Sequence, residues 1–355
     1  FIRDEGHTRV RQTARPALRD AGQWKLRAIR LPVQQGGRAM TTTRTQADVV
    51  VPGMLGADRP SLDFPSAQYQ YLLLHTRTIE DWAYRPSPPD SSELSAIAPS
   101  VVELVRAISP LARRRWLWEG MSPQPERGPL LVEITNDAPL VEHAKAEWAL
   151  SNGVLLIGAA GGMDELHRHL SSLTRLTMPD GGEALFAFKP DELSAWLGAL
   201  TVEDRRAWLG PMTQLLWRES RGPSSRWFRL EQAASGTTQV HLGWFSLRSS
   251  ELSAFEHQVR ENFIAGVANE LLTVPGYSTL SSEHALMQVR KTLEQLVERN
   301  FRADEHFRDC LLLLARYPAL QTDSAAHAVL NDLNEPPSAR VRALEALVNE
   351  KVRQP

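Results

Sequence analysis

The segment of this chain that most suggests chemistry is Gly158-Ala-Ala-Gly161-Gly162, set between an apolar run and a helical pattern. A glycine loop between a strand and a helix N-terminus is an arrangement in which backbone N–H groups cradle phosphate. Here the spacing fits neither GxxxxGK[ST] nor GxGxxG, and no Lys-Ser/Thr pair follows. Met163-Asp164-Glu165 also sets anions where the phosphate would lie. The loop therefore reads first as a strand-to-helix connection, with a phosphoryl-ligand site as the alternative. His167 and His169 are two apart, so on a helix they point roughly 200° away from each other and cannot share a metal ion. No HExxH and no GxSxG segment occurs. Cys310, the single cysteine, directly precedes Leu311–Leu314 and reads as a small buried thiol. The acids Asp164/Glu165 and Glu203/Asp204 fall in the first turns of expected helices, where the helix dipole accounts for them. No catalytic residue, cofactor or metal ligand is expected, and the chain reads as a non-enzyme.

The elements that must position these residues follow from breakers and periodicity. Tyr69–Leu74 predicts a strand, and Pro86-Ser87-Pro88-Pro89-Asp90 a loop. A helix beginning near Asp90 or Ser92 presents Val101, Val102, Leu104, Val105 and Ile108, and Leu111–Glu119 predicts another. Leu130–Ile134 and Val154–Ile157 are short continuous apolar runs, as in strands covered on both faces. Ala138–Leu150 between them is helical, stopped by Asn152-Gly153. Met163–Leu173 predicts a helix. Thr174–Met178 and Glu183–Phe188 flank Pro179-Asp180-Gly181-Gly182, a hairpin signal. Two short helices, Asp191–Leu200 and Val202–Leu209, end at Gly210-Pro211. The expected fold is a mixed-sheet α/β N-terminal lobe over residues 66–222. Arg221–Ser225 is the linker candidate, and a β-hairpin connector over 223–250 pairs Trp227–Glu231 with Val240–Phe245. A helical lobe over 251–353 completes the chain, its first helix carrying Leu252, Phe255, Val259, Phe263, Val267 and Leu271 at spacings of three and four.

The 355 residues allow one large or two modest domains. A single cysteine excludes a disulfide framework and fits a reducing compartment. No apolar stretch approaches the roughly 20 residues that span a bilayer, so no membrane passage is expected. A formal net charge of −2 argues against a nucleic-acid partner. That average hides an asymmetry. Residues 1–44 hold ten Arg and Lys against three acids, net +7, leaving 30 basic and 39 acidic residues, net −9, for the rest. Residues 1–45 are expected to be a disordered basic leader, with the natural start at Met40 and residues 1–39 an unstructured leader or upstream-translated stretch. A basic arm for an acidic partner and an organellar presequence are the alternatives.

Ten tryptophans make the aromatics informative, since Trp serves interaction hot spots as well as cores. Trp116, Trp118, Trp227 and Trp244 lie near segment ends or on short strands. With Phe186, Phe188, Phe228 and Phe245 they are the candidate partner-binding residues, beside packing as the ordinary role. Asp180, Gly181, Gly210 and Pro211 are expected to be structural.

Taken in order, Gly153-Val-Leu-Leu-Ile157, Leu166-His-Arg-His169-Leu170, Leu176, Asp180-Gly181, Phe186-Ala-Phe188, Leu193, Trp196-Leu197 and Leu209-Gly210-Pro211 resemble the family called domain of unknown function 4123. Ser250-Glu251-Leu252 to Phe263, Arg290 to Asn300, Leu311–Leu314 and Arg340–Leu344 resemble what commonly follows, so the likeness runs over about residues 67–350. Where the family often has Phe-Arg-Phe, this chain has Ala187, and Lys189-Pro190 replaces an aromatic-Asp-Pro. The resemblance implies an adaptor, or effector chaperone, of bacterial type VI secretion. Such a protein binds a toxic effector in the cytoplasm and helps load it onto the VgrG spike. The implied partners are the effector and a VgrG-type spike protein, with no small-molecule substrate. An α/β enzyme using Gly158–Gly162 and a scaffold unrelated to secretion are the alternatives.

Overall fold

The computed structural model describes residues 54–57, 70–83, 99–134, 138–233 and 241–353; the expected basic leader lies outside them. Nine strands are present among the described residues: β1 (Met54–Ala57), β2 (Tyr71–Leu74), β3 (Arg114–Trp116), β4 (Leu130–Glu133), β5 (Val154–Ala159), β6 (Arg175–Thr177), β7 (Glu183–Leu185), β8 (Met212–Arg221) and β9 (Ser224–Glu231). Seven form one sheet in the order β1-β9-β8-β5-β2-β4-β3, and β6 and β7 form a separate ribbon. All six pairings of the large sheet are antiparallel, where mixed directions were expected. The reason is local. The β4-helix-β5 crossover does leave those two strands parallel to each other, but β2 inserts between them and pairs antiparallel with both.

Helices cover both faces of this sheet. On one side lie α1 (Thr76–Ala83), α2 (Val101–Ile108) and α3 (Ala138–Ala146), packed through Ile79, Val105 and Leu140 onto Leu72, Leu74, Val132 and Leu156. On the other lie α4 (Met163–Leu173), α5 (Leu193–Ala199) and α6 (Val202–Leu209), packed through Leu166, Leu170, Trp196 and Trp208 onto Leu73, Leu131, Ile157 and Leu215. Alternate residues of β2 therefore meet different cores, which is why its apolar run is continuous. Helix α2 starts at Val101, and the expected start near Asp90 or Ser92 lies outside the described residues. Pro99 cannot donate within a helix, and Ser100 and Glu103 close a capping box.

Two further expectations are corrected. Leu111–Glu119 is not a helix. Its middle pairs with β4 (Arg114↔Val132, Trp116↔Leu130), and ladder bonds override a moderate helical pattern. Arg221–Ser225 is not a linker but the tight turn between β8 and β9, so the sheet continues past residue 222. The hairpin that leads into the helical region therefore consists of β8 and β9, and Phe245 bonds instead to the β6 edge through Thr177 N–H at 2.9 Å. Val240, the first residue of the expected second strand, lies outside the described residues.

The long helix α7 (Ser249–Leu271) joins the two parts. Its first turns enter the sheet-side core through Phe255. Its later turns, through Ile264, Val267 and Leu271, enter a second core with α8 (Ser282–Glu298), α9 (Asp304–Arg316), α10 (Ser324–Asn331) and α11 (Pro337–Arg353). Within that core Cys310 is fully buried and its thiol is pushed up to about 12 by burial. Arg340 is buried too, donating to Arg299 O at 2.8 Å and Leu330 O at 2.9 Å while its guanidinium lies 4.4 Å from the centre of the Phe301 ring. Gly222 sits at φ +64° in the β8–β9 turn, and a Cβ there would lie 2.5 Å from the backbone oxygen of Gly266 on α7. The turn is thus docked backbone to backbone on the helix. Gly222→Ala combines a left-handed φ with that clash and is expected to cost about 1–3 kcal/mol, read as a lower urea midpoint. An unchanged midpoint would show that the docking carries no load.

Candidate functional site

The cleft between the sheet-side helices and the helical part is built first by the β6–β7 ribbon. At its turn Gly181 takes φ +77°, and Gly182 N–H donates to Asp180 Oδ1 at 3.0 Å. Beyond β7 the chain leaves the ribbon with Phe186 N–H on Thr174 O at 2.8 Å, then bends sharply at Phe188, whose φ is +50°. A bulky residue in the left-handed region stores of order 1–3 kcal/mol and persists only where its surroundings hold it. Here Phe188 is buried, with Phe186 edge-on to it at 4.8 Å.

The floor is Trp196 of α5, 4.5 Å from Phe186 and edge-on to Phe255 at 5.4 Å between ring centroids. Helix α5 is held in place by Glu219 of β8, a carboxylate 1% exposed. It accepts from Ser194 N–H at 2.8 Å, Ser194 Oγ at 2.7 Å and Trp217 Nε1 at 2.9 Å. Burial pushes its pKa up against those hydrogen bonds. The far wall comes from α7, through Val259, Arg260 and Phe263, and from the α8–α9 junction, through Phe301 and Phe307. The space within the cleft is about 80 Å³. At the rim Lys189 Nζ stands 3.4 Å from Glu192 Oε1.

Of the eight aromatic candidates, the structure brings two to this cleft, Phe186 and Phe188. The other six do not form an open docking surface. Trp227 and Phe228 are buried on opposite faces of β9, Phe228 stacking on Trp217 at 5.5 Å. Phe245 is buried, and half-buried Trp244 donates Nε1–H to Ser172 Oγ at 2.9 Å. Trp116 and Trp118 are half-buried and pack against the two sheet-side cores. Gly210 takes φ +52° with the His169 ring against its Cα, and Pro211 O accepts from Ala160 N–H at 3.0 Å.

The two histidines point apart, as their spacing requires. His167 Nε2–H donates to Trp116 O at 2.9 Å and His169 Nε2–H to Trp208 O at 2.8 Å, and burial lowers both pKa values. In the glycine loop Gly162 precedes α4, the Glu165 carboxylate lies against Gly161, and Tyr71 O–H donates to Gly161 O at 3.3 Å. Among the described residues no group of three His, Cys, Asp or Glu is placed to hold a metal ion, and no helix is long and apolar enough to cross a membrane.

Residues 94–207 match the family model described as Domain of unknown function (DUF4123). The DUF4123 match includes the ribbon, Phe186, Phe188 and Trp196, and it ends before β8 and α7. The opposite wall of the cleft therefore lies outside it. No curated protein and no solved structure matches the chain.

The wall residues Val259, Arg260 and Phe263 are not among the sequence-derived candidates. The stripe that holds Val259 and Phe263 reads as one uniform core face at spacings of three and four, and Arg260 lies beside it. Only the change of core along α7 leaves Val259 and Phe263 half-buried at the crossing.

Proposed function

We propose that this chain is a non-enzymatic adaptor that binds a type VI secretion effector in the cytoplasm and helps load it onto the VgrG spike. The resemblance over residues 67–350 implies that role, and the DUF4123 match supports the family part of it. The observation that carries the binding reading is the cleft: a ring-lined seat between two packed bodies, with a strained Phe188 in its wall. Buried aromatic anchors concentrate binding energy, and charges at the rim set partner choice. The sheet part and the helical part would hold different partners. A cut at residue 222 would sever the β8–β9 hairpin, so point variants on each part are the sound way to separate them.

The test is purification of the full chain from its native bacterium under conditions in which the secretion system is expressed, with mass spectrometry of what co-elutes. A VgrG-type spike protein and one large effector are expected. Elution of the chain alone from such cells would overturn the adaptor reading.

A further inference from the structure

The cleft carries more detail than its rings. Half-buried Phe186, Val259 and Phe263 line it together with Leu185, Ala187 and Ala303, over a floor of buried aromatics. About 80 Å³ is well below the few hundred ångströms cubed of a typical small-molecule site, and below the roughly 150 Å³ that accepts benzene. The space suits one branched aliphatic side chain. Of the rim charges, Lys189 and Glu192 pair with each other, and Glu256, Arg302 and Asp304 each have an interaction of their own. Arg260, half-buried on α7 one residue from Val259, has no hydrogen-bond or ion-pair partner among the described residues. An apolar hole with one unpaired guanidinium beside it is complementary to an aliphatic group flanked by a carboxylate.

We propose that the cleft receives a single leucine-sized side chain of a partner polypeptide whose neighbouring residue is Asp or Glu, the aliphatic group seated against Phe186, Val259 and Phe263 and the carboxylate on Arg260. This deepens the adaptor reading and rests on it for the nature of the partner. The probes are the capped dipeptides acetyl-Leu-Glu-amide, acetyl-Leu-Gln-amide and acetyl-Gly-Glu-amide, titrated into the full chain. The readout is the methyl NMR signals of Val259. Acetyl-Leu-Glu-amide is expected to shift those signals and to bind about three- to fivefold more tightly than its Gln counterpart, the range of a half-exposed ion pair. Acetyl-Gly-Glu-amide is expected to leave them unmoved. Arg260→Gln should erase the Glu preference while keeping the Leu requirement, and Val259→Trp, which fills the hole and removes the reporting methyls, should abolish binding of both leucine probes as read by calorimetry.

Equal affinity for the Glu and Gln probes in the unaltered chain would overturn the proposal, as would no movement of the Val259 methyls at saturation. Val259 signals that move on dilution alone would make a second copy of the chain the occupant, and would overturn it too. The two readings fail separately. Dipeptide binding without co-purified spike or effector removes the adaptor role and leaves the cleft's chemistry standing, whereas co-purification without dipeptide binding does the reverse.

Discussion

Trp196→Ala is expected to lower stability by about 3–5 kcal/mol, the usual cost of emptying a buried tryptophan site. The side chain is 1% exposed and its ring meets four others: Phe186 at 4.5 Å, Phe255 at 5.4 Å, Phe245 at 6.2 Å and Trp208 at 6.3 Å. Those neighbours come from the ribbon exit, α7, the segment bonded to β6, and α6. No one of them can collapse into the hole without pulling its element along, which places the cost toward the upper end. Trp196→Phe keeps a ring and much of the volume, so it should lose well under half as much. Urea unfolding of the two variants checks this. A loss below about 1.5 kcal/mol for the alanine variant would show that the rings repack and that Trp196 is not the hub of this core.

Glu219→Ala is expected to cost about 3 kcal/mol or more, because it leaves Ser194 N–H, Ser194 Oγ and Trp217 Nε1 without their acceptor inside the core. Glu219→Gln separates the hydrogen bonds from the charge. In the folded protein burial raises the Glu219 pKa above its ordinary 4.5, so folding favours the protonated form. That contribution is fully present below the ordinary value and is lost as pH rises through the folded value. The stability of the parent protein relative to Glu219→Gln should therefore fall as pH increases from the ordinary glutamate range upward, with the sign opposite to that of a salt-bridged carboxylate. Thermal midpoints of the pair across pH 4 to 8 read this directly. A difference that stays constant, or grows in favour of the parent with pH, would mean that the bonds from Ser194 and Trp217, with Arg221 at 3.8 Å, outweigh desolvation.

How much was legible depends on whether a segment's partners are local. Helix α4 lies over Met163–Leu173 as its period predicts, and the ribbon turn forms at Asp180-Gly181-Gly182, because periodicity and positive-φ glycine act over a few residues. Thr201 caps α6 by accepting from Asp204 N–H at 3.2 Å, another short-range signal. Strand β8 was invisible: Met-Thr-Gln-Leu-Leu-Trp-Arg-Glu-Ser-Arg neither alternates strictly nor runs apolar. It is a strand because β5 and β9 supply ladders on both sides. The same blindness turned the β8–β9 turn into a linker and β3 into a helix.

By itself the sequence determined the layered α/β class, the helical end, the structural use of the histidines and the isolation of Cys310, since each follows from composition or spacing of near neighbours. The tertiary structure decided which aromatics are core and which line an opening. Phe186 and Phe228 are both sequence-derived partner-binding candidates, yet one faces a cleft and the other is sealed in the sheet-side core. Exposure is a property of what crosses above a side chain, and helix α7, which crosses here, is more than sixty residues away from Phe186 in the chain. Only that crossing places Arg260 beside an apolar hole with no partner of its own, because an unpaired charge is defined by everything around it and by nothing within its own segment.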